Sequence, residues 1–65
     1  MLDKIINEEF LNYSKNYETG NTSIIQENER FLKQLYRLKY NLDKVDTLGF
    51  VAFMEELSKK NSENY

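Results

Sequence analysis

The sequence predicts an all-α protein, a small three-helix bundle or a helical homodimer centred on a long second helix, and three observations carry that expectation. The chain has 65 residues with no proline and only two glycines, so long stretches can run helical without a lost hydrogen bond or a forced kink. Apolar residues recur at spacings of three and four in three successive segments instead of alternating. The pattern lapses around Gly20 and again over Asp43 to Thr47, where the residues are of the kinds that end and restart helices.

The first helix is expected over about residues 3–17. Leu2, Ile6, Phe10, Tyr13 and Tyr17 draw one stripe along it. Asp3 is placed to cap its start, and Gly20 supplies the left-handed conformation that commonly ends helices. Leu11 falls off the stripe and is expected at the surface.

The second helix is expected over about 24–42, because Ser23 and Gln26 have the spacing of a capping box. Ile24, Phe31, Leu35, Leu38 and Leu42 form one stripe, and Ile25, Leu32 and Tyr36 form a second beside it. An apolar arc this broad suits a helix packed on two neighbours, or on one neighbour and a dimer mate. The same residues fit a heptad frame, with Ile24, Phe31, Leu38 and Val45 at one core position and Asn28, Leu35 and Leu42 at the other. Asn28, Phe31, Leu35, Leu38 and Leu42 are therefore candidates for a dimer seam in which Asn28 fixes the register. The alternative is a solvated Asn28 in a helix that packs only within its own chain.

The third helix is expected over about 47–60, with Asp46 or Thr47 as its N-cap. Phe50, Phe53, Met54 and Leu57 mark its buried face and Leu48 and Val51 widen it, while Glu55, Glu56, Lys59 and Lys60 are polar. Residues 61–65 are expected to fray. Without repeats or long linkers, residues 1–65 read as one domain of antiparallel neighbouring helices.

The composition removes most chemistry. With no Cys and no His, the chain has neither disulfides nor the ligands of a Cys/His zinc site, and it lacks the commonest general base and the strongest side-chain nucleophile. The adjacent carboxylates Glu8-Glu9 and Glu55-Glu56 point about 100° apart on a helix, so neither pair alone makes a two-carboxylate site. There is no glycine-rich phosphate loop and no calcium loop. A non-enzymatic chain with no catalytic residue, metal or cofactor is expected. No apolar run approaches the roughly 18 residues of a membrane span, and the start lacks the apolar stretch of a signal peptide, so the expected location is the cytoplasm. Abundant Asn, Lys, Ile, Tyr and Phe beside scarce Ala, Gly and Arg point to an AT-rich genome, such as that of a low-GC bacterium or its phage.

What remains is contact. A chain this short buries only about 60% of the surface its unfolded form exposes, which favours self-association or docking on a partner. Nine basic against eleven acidic residues give a net charge of −2, yet Arg30, Lys33, Arg37, Lys39 and Lys44 meet a single acid, Asp43, between positions 30 and 44. Arg30, Lys33, Arg37 and Lys44 share one helix face with Gln34 and Asn41, and Tyr36 and Tyr40 stand at its margin. Together with Phe50 and Phe53 of the third helix, Arg30, Lys33, Tyr36 and Arg37 are the candidate partner-binding residues, the aromatics for burial and the cations for steering towards an acidic protein. The competing accounts are that Phe50 and Phe53 belong to the core and that the cations form a solvated face complementing the helix dipole. The leading expectation is a homodimeric interaction protein that modulates a larger protein, as inhibitor, adaptor or antitoxin. The alternative is a small nucleic-acid-binding transcriptional regulator that tracks phosphates with the same basic face.

Overall fold

A computed structural model describes residues 1–62 and places them in three helices, α1 (Leu2–Thr19), α2 (Thr22–Tyr40) and α3 (Thr47–Ser62). All regular structure among the described residues is helical, and the arrangement is a small three-helix bundle.

The helix ends explain both the agreements with the expected boundaries and the departures from them. α1 begins at Met1 without a side-chain cap. Asp3 does not cap it, because its carboxylate is drawn to Lys39 Nζ at 2.7 Å, across the α1–α2 pair. Gly20 closes α1 as expected, in the left-handed region at φ 73°, and donates its N–H to the Tyr17 carbonyl at 3.2 Å. α2 starts earlier than expected because Asn21 is the N-cap, its side chain accepting from Ile24 N at 3.4 Å. Ser23 therefore lies inside the first turn and not at the capping position.

At its far end α2 stops at Tyr40, because Asn41 takes the left-handed conformation at φ 53° and the N–H groups of Asn41 and Leu42 both turn back to the Arg37 carbonyl. Asp46 caps α3: its carboxylate accepts from Gly49 N at 2.9 Å, and its carbonyl from Phe50 N at 2.8 Å. α3 also runs past the expected 60. Asn61 donates to the Leu57 carbonyl at 2.7 Å and to Asn7 Oδ1 at 2.9 Å, tying the end of α3 to α1, so Asn61 and Ser62 are helical where fraying was expected. Glu63, Asn64 and Tyr65, in the same expected frayed tail, lie outside the described residues.

The core consists of Ile6 and Phe10 from α1, Leu32, Leu35 and Tyr36 from α2, and Phe50, Phe53 and Leu57 from α3. Leu2, Tyr13, Leu42, Val45 and Met54 pack against it half-buried. Ile6 and Leu32 are fully enclosed, and no buried side-chain polar atom among the described residues lacks a hydrogen-bond partner. α2 is central, as its broad apolar arc predicts, since it supplies core residues facing both other helices. The row Ile24, Phe31 and Leu38 lies outside this core, exposed to 40, 45 and 68%.

The two connections differ in length. Gly20 and Asn21 alone join α1 to α2, which forces a tight antiparallel hairpin, whereas the longer link from Asn41 to Asp46 lets α3 diverge. Backbone approaches between α1 and α2 are accordingly many, and those to α3 few. The divergence of α3 opens a groove between it and α1.

Candidate functional site

A groove of about 720 Å³ runs between the C-terminal half of α1 and the first three turns of α3, with Glu29 and Lys33 of α2 on its rim. Phe10, Tyr13 and Tyr17 form its first wall. They belong to the apolar stripe of α1, and their rings follow one another at centroid separations of 6.3 and 5.9 Å. The opposite wall is Phe50, Val51 and Met54 of α3, with Val45 closing one end. The stripe of α1 outruns the core, since Phe10 is buried, Tyr13 half-buried and Tyr17 64% exposed. Stacked and tilted aromatic faces are thereby left open to solvent, an arrangement that suits apolar and cationic side chains.

The charged groups on the groove are Glu29 and Lys33 on α2 and Glu55 on α3. Lys33 Nζ lies 3.5 Å from Glu29 Oε1, one turn away, and 5.7 Å from the centroid of the Phe50 ring. Its charge is thus balanced within the chain, and Glu55 has no ion pair among the described residues. Burial, and after it the negative charge of Glu29, push the Tyr13 phenol above its ordinary value.

The sequence-predicted partner residues divide into two sets. Tyr36, Phe50 and Phe53 are buried, and with Tyr40 their rings form a cluster with centroid separations from 5.0 to 6.2 Å. Tyr36 and Phe53 therefore do not form a contact surface, for the reason that a core of eight residues cannot spare them. Phe50 is shared, buried in the cluster while one face lines the groove. Of the cations, Arg30 is exposed, Lys33 is held by Glu29, and the half-buried Arg37 donates Nε to the Leu42 carbonyl at 3.5 Å, where it serves the end of α2.

The five residues of the expected seam do not share one outer face. Leu35 is core, and Leu42 packs against the core half-buried. Asn28 uses its amide within the chain, donating to Glu9 Oε1 at 2.6 Å and accepting from Asn16 Nδ2 at 2.8 Å, so it fixes the register of α1 on α2. Phe31 and Leu38 remain outside and align with Ile24.

Sequence reasoning missed the groove. Tyr13, Tyr17, Val51, Met54 and Glu55 each had a place in a helix pattern, but only the stand-off of α3 brings them to one opening. The available signal was the aromatic content of the α1 stripe beyond Phe10. A smaller hollow of about 330 Å³ lies at the other end of the bundle, among Asp3, Lys39, Tyr40, Glu56, Lys59 and Lys60. Ile6, Phe53 and Leu57 give it an apolar side as well, and its closest charges, Asp3 and Lys39, already pair.

No group of three or more possible metal-binding side chains occurs among the described residues, and no described helix is long and apolar enough to cross a membrane. No family model matches the sequence, and no curated protein or solved structure matches it either.

Proposed function

We propose that this chain is a non-enzymatic, cytoplasmic helical interaction protein that modulates a larger protein by direct binding, with the groove between α1 and α3 receiving the partner. The observation that carries this reading is the aromatic groove itself. A chain so short has the least apolar surface to spare, yet Tyr13, Tyr17, Val51 and Met54 line an opening that packing within the chain does not fill. Inhibitor, adaptor and antitoxin roles all operate by such occupancy. The basic face of α2 supports nucleic-acid binding less well, because the charge of Lys33 is offset by Glu29 one turn away and Arg37 is half-buried with its Nε donated to the Leu42 carbonyl.

A photo-crosslinking residue at Val51, compared with one at the exposed Gln26 on the outer side of α2, tests the reading in the cells that make the protein. A discrete protein adduct from position 51, absent from position 26, is the expected result. Indistinguishable adducts from the two positions, or none from position 51, would overturn it.

A second surface favours self-association. Ile24, Phe31 and Leu38 repeat at the seven-residue interval of a coiled-coil seam and are exposed along one line of α2. We propose that two copies pair along this line, so that Phe31→Glu yields a monomer by sedimentation. A wild-type chain that sediments as a monomer at every concentration removes the pairing and leaves the groove untouched.

A further inference from the structure

We propose that the groove takes an amphipathic helix bearing a lysine or arginine beside its apolar stripe, and that this cation displaces Lys33 from the Phe50 ring. The inference rests on the reading of the groove as a protein-binding site and adds the chemistry of the occupant.

Three features of the groove support it. Its length favours a helix over a compact ligand: the α3 residues along it run from Thr47 to Ser58, roughly 16 Å at the rise of an α-helix, or about three turns. A wall of exposed Val51 and half-buried Met54 across from Tyr13 and Tyr17 matches side chains recurring every three to four residues on a partner helix.

Second, a cation seat already exists and is filled from within. Lys33 places its ammonium over Phe50 and against Glu29, the combination of aromatic face and carboxylate that binds alkylammonium and guanidinium groups. Glu29 and the Lys33 stem lie at the rim, both partly exposed, so a partner's cation can reach the same seat without opening the core.

Third, the remaining charge has one sign. With Lys33 balanced by Glu29, the groove keeps the carboxylate of Glu55 on its opposite rim. An acidic helix would meet the Glu55 carboxylate and find Lys33 already paired with Glu29. A basic helix gains Glu55 at once and Glu29 once Lys33 swings out to water, where a lysine is readily solvated.

Two synthetic helical peptides test this, identical in their leucine stripe and differing only in having lysine or glutamate at the flanking positions. Each is titrated into the isotope-labelled full chain while the resonances of Tyr13, Val51 and Met54 are followed. The lysine peptide should shift these resonances and bind several-fold more tightly than the glutamate peptide. Glu55→Gln should narrow that ratio, and Lys33→Met, which keeps the stem over Phe50 but removes the internal competitor, should widen it. Equal or inverted preference overturns the cationic occupant and leaves the groove as a protein site. Ratios unmoved by both variants overturn the assignment to Lys33 and Glu55. No shift of these resonances by either peptide overturns the inference and the groove reading together.

Discussion

Gly49 sits inside a helix at an ordinary backbone angle, yet any side chain there would force its neighbours to shift. A Cβ there would collide with the Tyr36 hydroxyl and lie 2.8 Å from Asp46 Oδ2, so the α3 cap and the aromatic cluster both depend on the missing side chain. Gly49→Ala gains helix propensity but forces one of these groups to move. The expected net cost is about 1–3 kcal/mol, read as a lowered midpoint in thermal unfolding. An unchanged or raised midpoint would show that the Tyr36 ring gives way freely. Titration acts at the same scale. Asp3 is held below its ordinary value of 3.8 by the hydrogen bond and then the charge of Lys39, so the stability from the pair is complete above that pH and lost as pH falls through the lowered value. The Lys39 ammonium is raised above 10.5 by the same bond, and Tyr13 above 10.0 by burial and then Glu29. Both contributions are full below those values and disappear as pH rises past the folded ones. Tyr13→Phe should therefore flatten the alkaline fall in melting temperature without changing the acid one, and Lys39→Met should reduce the acid one. The pair is exposed, so the second effect is small.

The end of α2 depends on one residue, Asn41, and the register of α1 on α2 on one amide, Asn28. Asn41 ends α2 two residues before the apolar pattern does, and in doing so aims Leu42 back against the core. Asn41→Gly keeps the left-handed turn and should be nearly neutral, whereas Asn41→Val, with a β-branched residue at φ 53°, should cost about 1–2 kcal/mol in urea unfolding. Asn28 joins Glu9 and Asn16 across the α1–α2 pair. Asn28→Ala leaves those groups without their partner, for an expected loss of about 1–3 kcal/mol. It should leave the oligomeric state unchanged, whereas Phe31→Glu alters it. A change of sedimentation on Asn28→Ala would return that residue to the intermolecular seam.

At the scale of the whole molecule, stability is thin and unevenly shared. By the usual range per residue a chain of 65 has roughly 3–10 kcal/mol in hand. Leu32 is wholly enclosed between the helices, and Leu32→Ala should remove about 2–5 kcal/mol, enough to leave the isolated chain partly unfolded by circular dichroism. Leu48, 80% exposed on the outer side of α3, should tolerate the same change within about 0.5 kcal/mol. The loose setting of α3 makes it the element that ligand binding stabilises most. Slower amide exchange along α3 than along α1 on adding the lysine peptide is the expected signature.

The helical class, the three segments, the Gly20 stop and the Asp46 start were legible in the sequence, because each depends on local rules: periodicity of burial, backbone conformation and capping within a few residues. Leu2, Ile6 and Phe10 faced inward as their spacing required. Local rules did not choose between the two stripes of α2, and the bundle buried Leu32 and Tyr36 while leaving Phe31 and Leu38 outside. Nor did they settle whether Asp3 would cap α1 or reach Lys39, a residue 36 positions away. The angle at which α3 leaves the tight α1–α2 hairpin was decided by side chains meeting across the chain, Tyr36 against Gly49 and Asn61 against Asn7. That angle creates the groove, so the fold was written in short-range patterns, whereas the candidate site came into being only when distant residues packed.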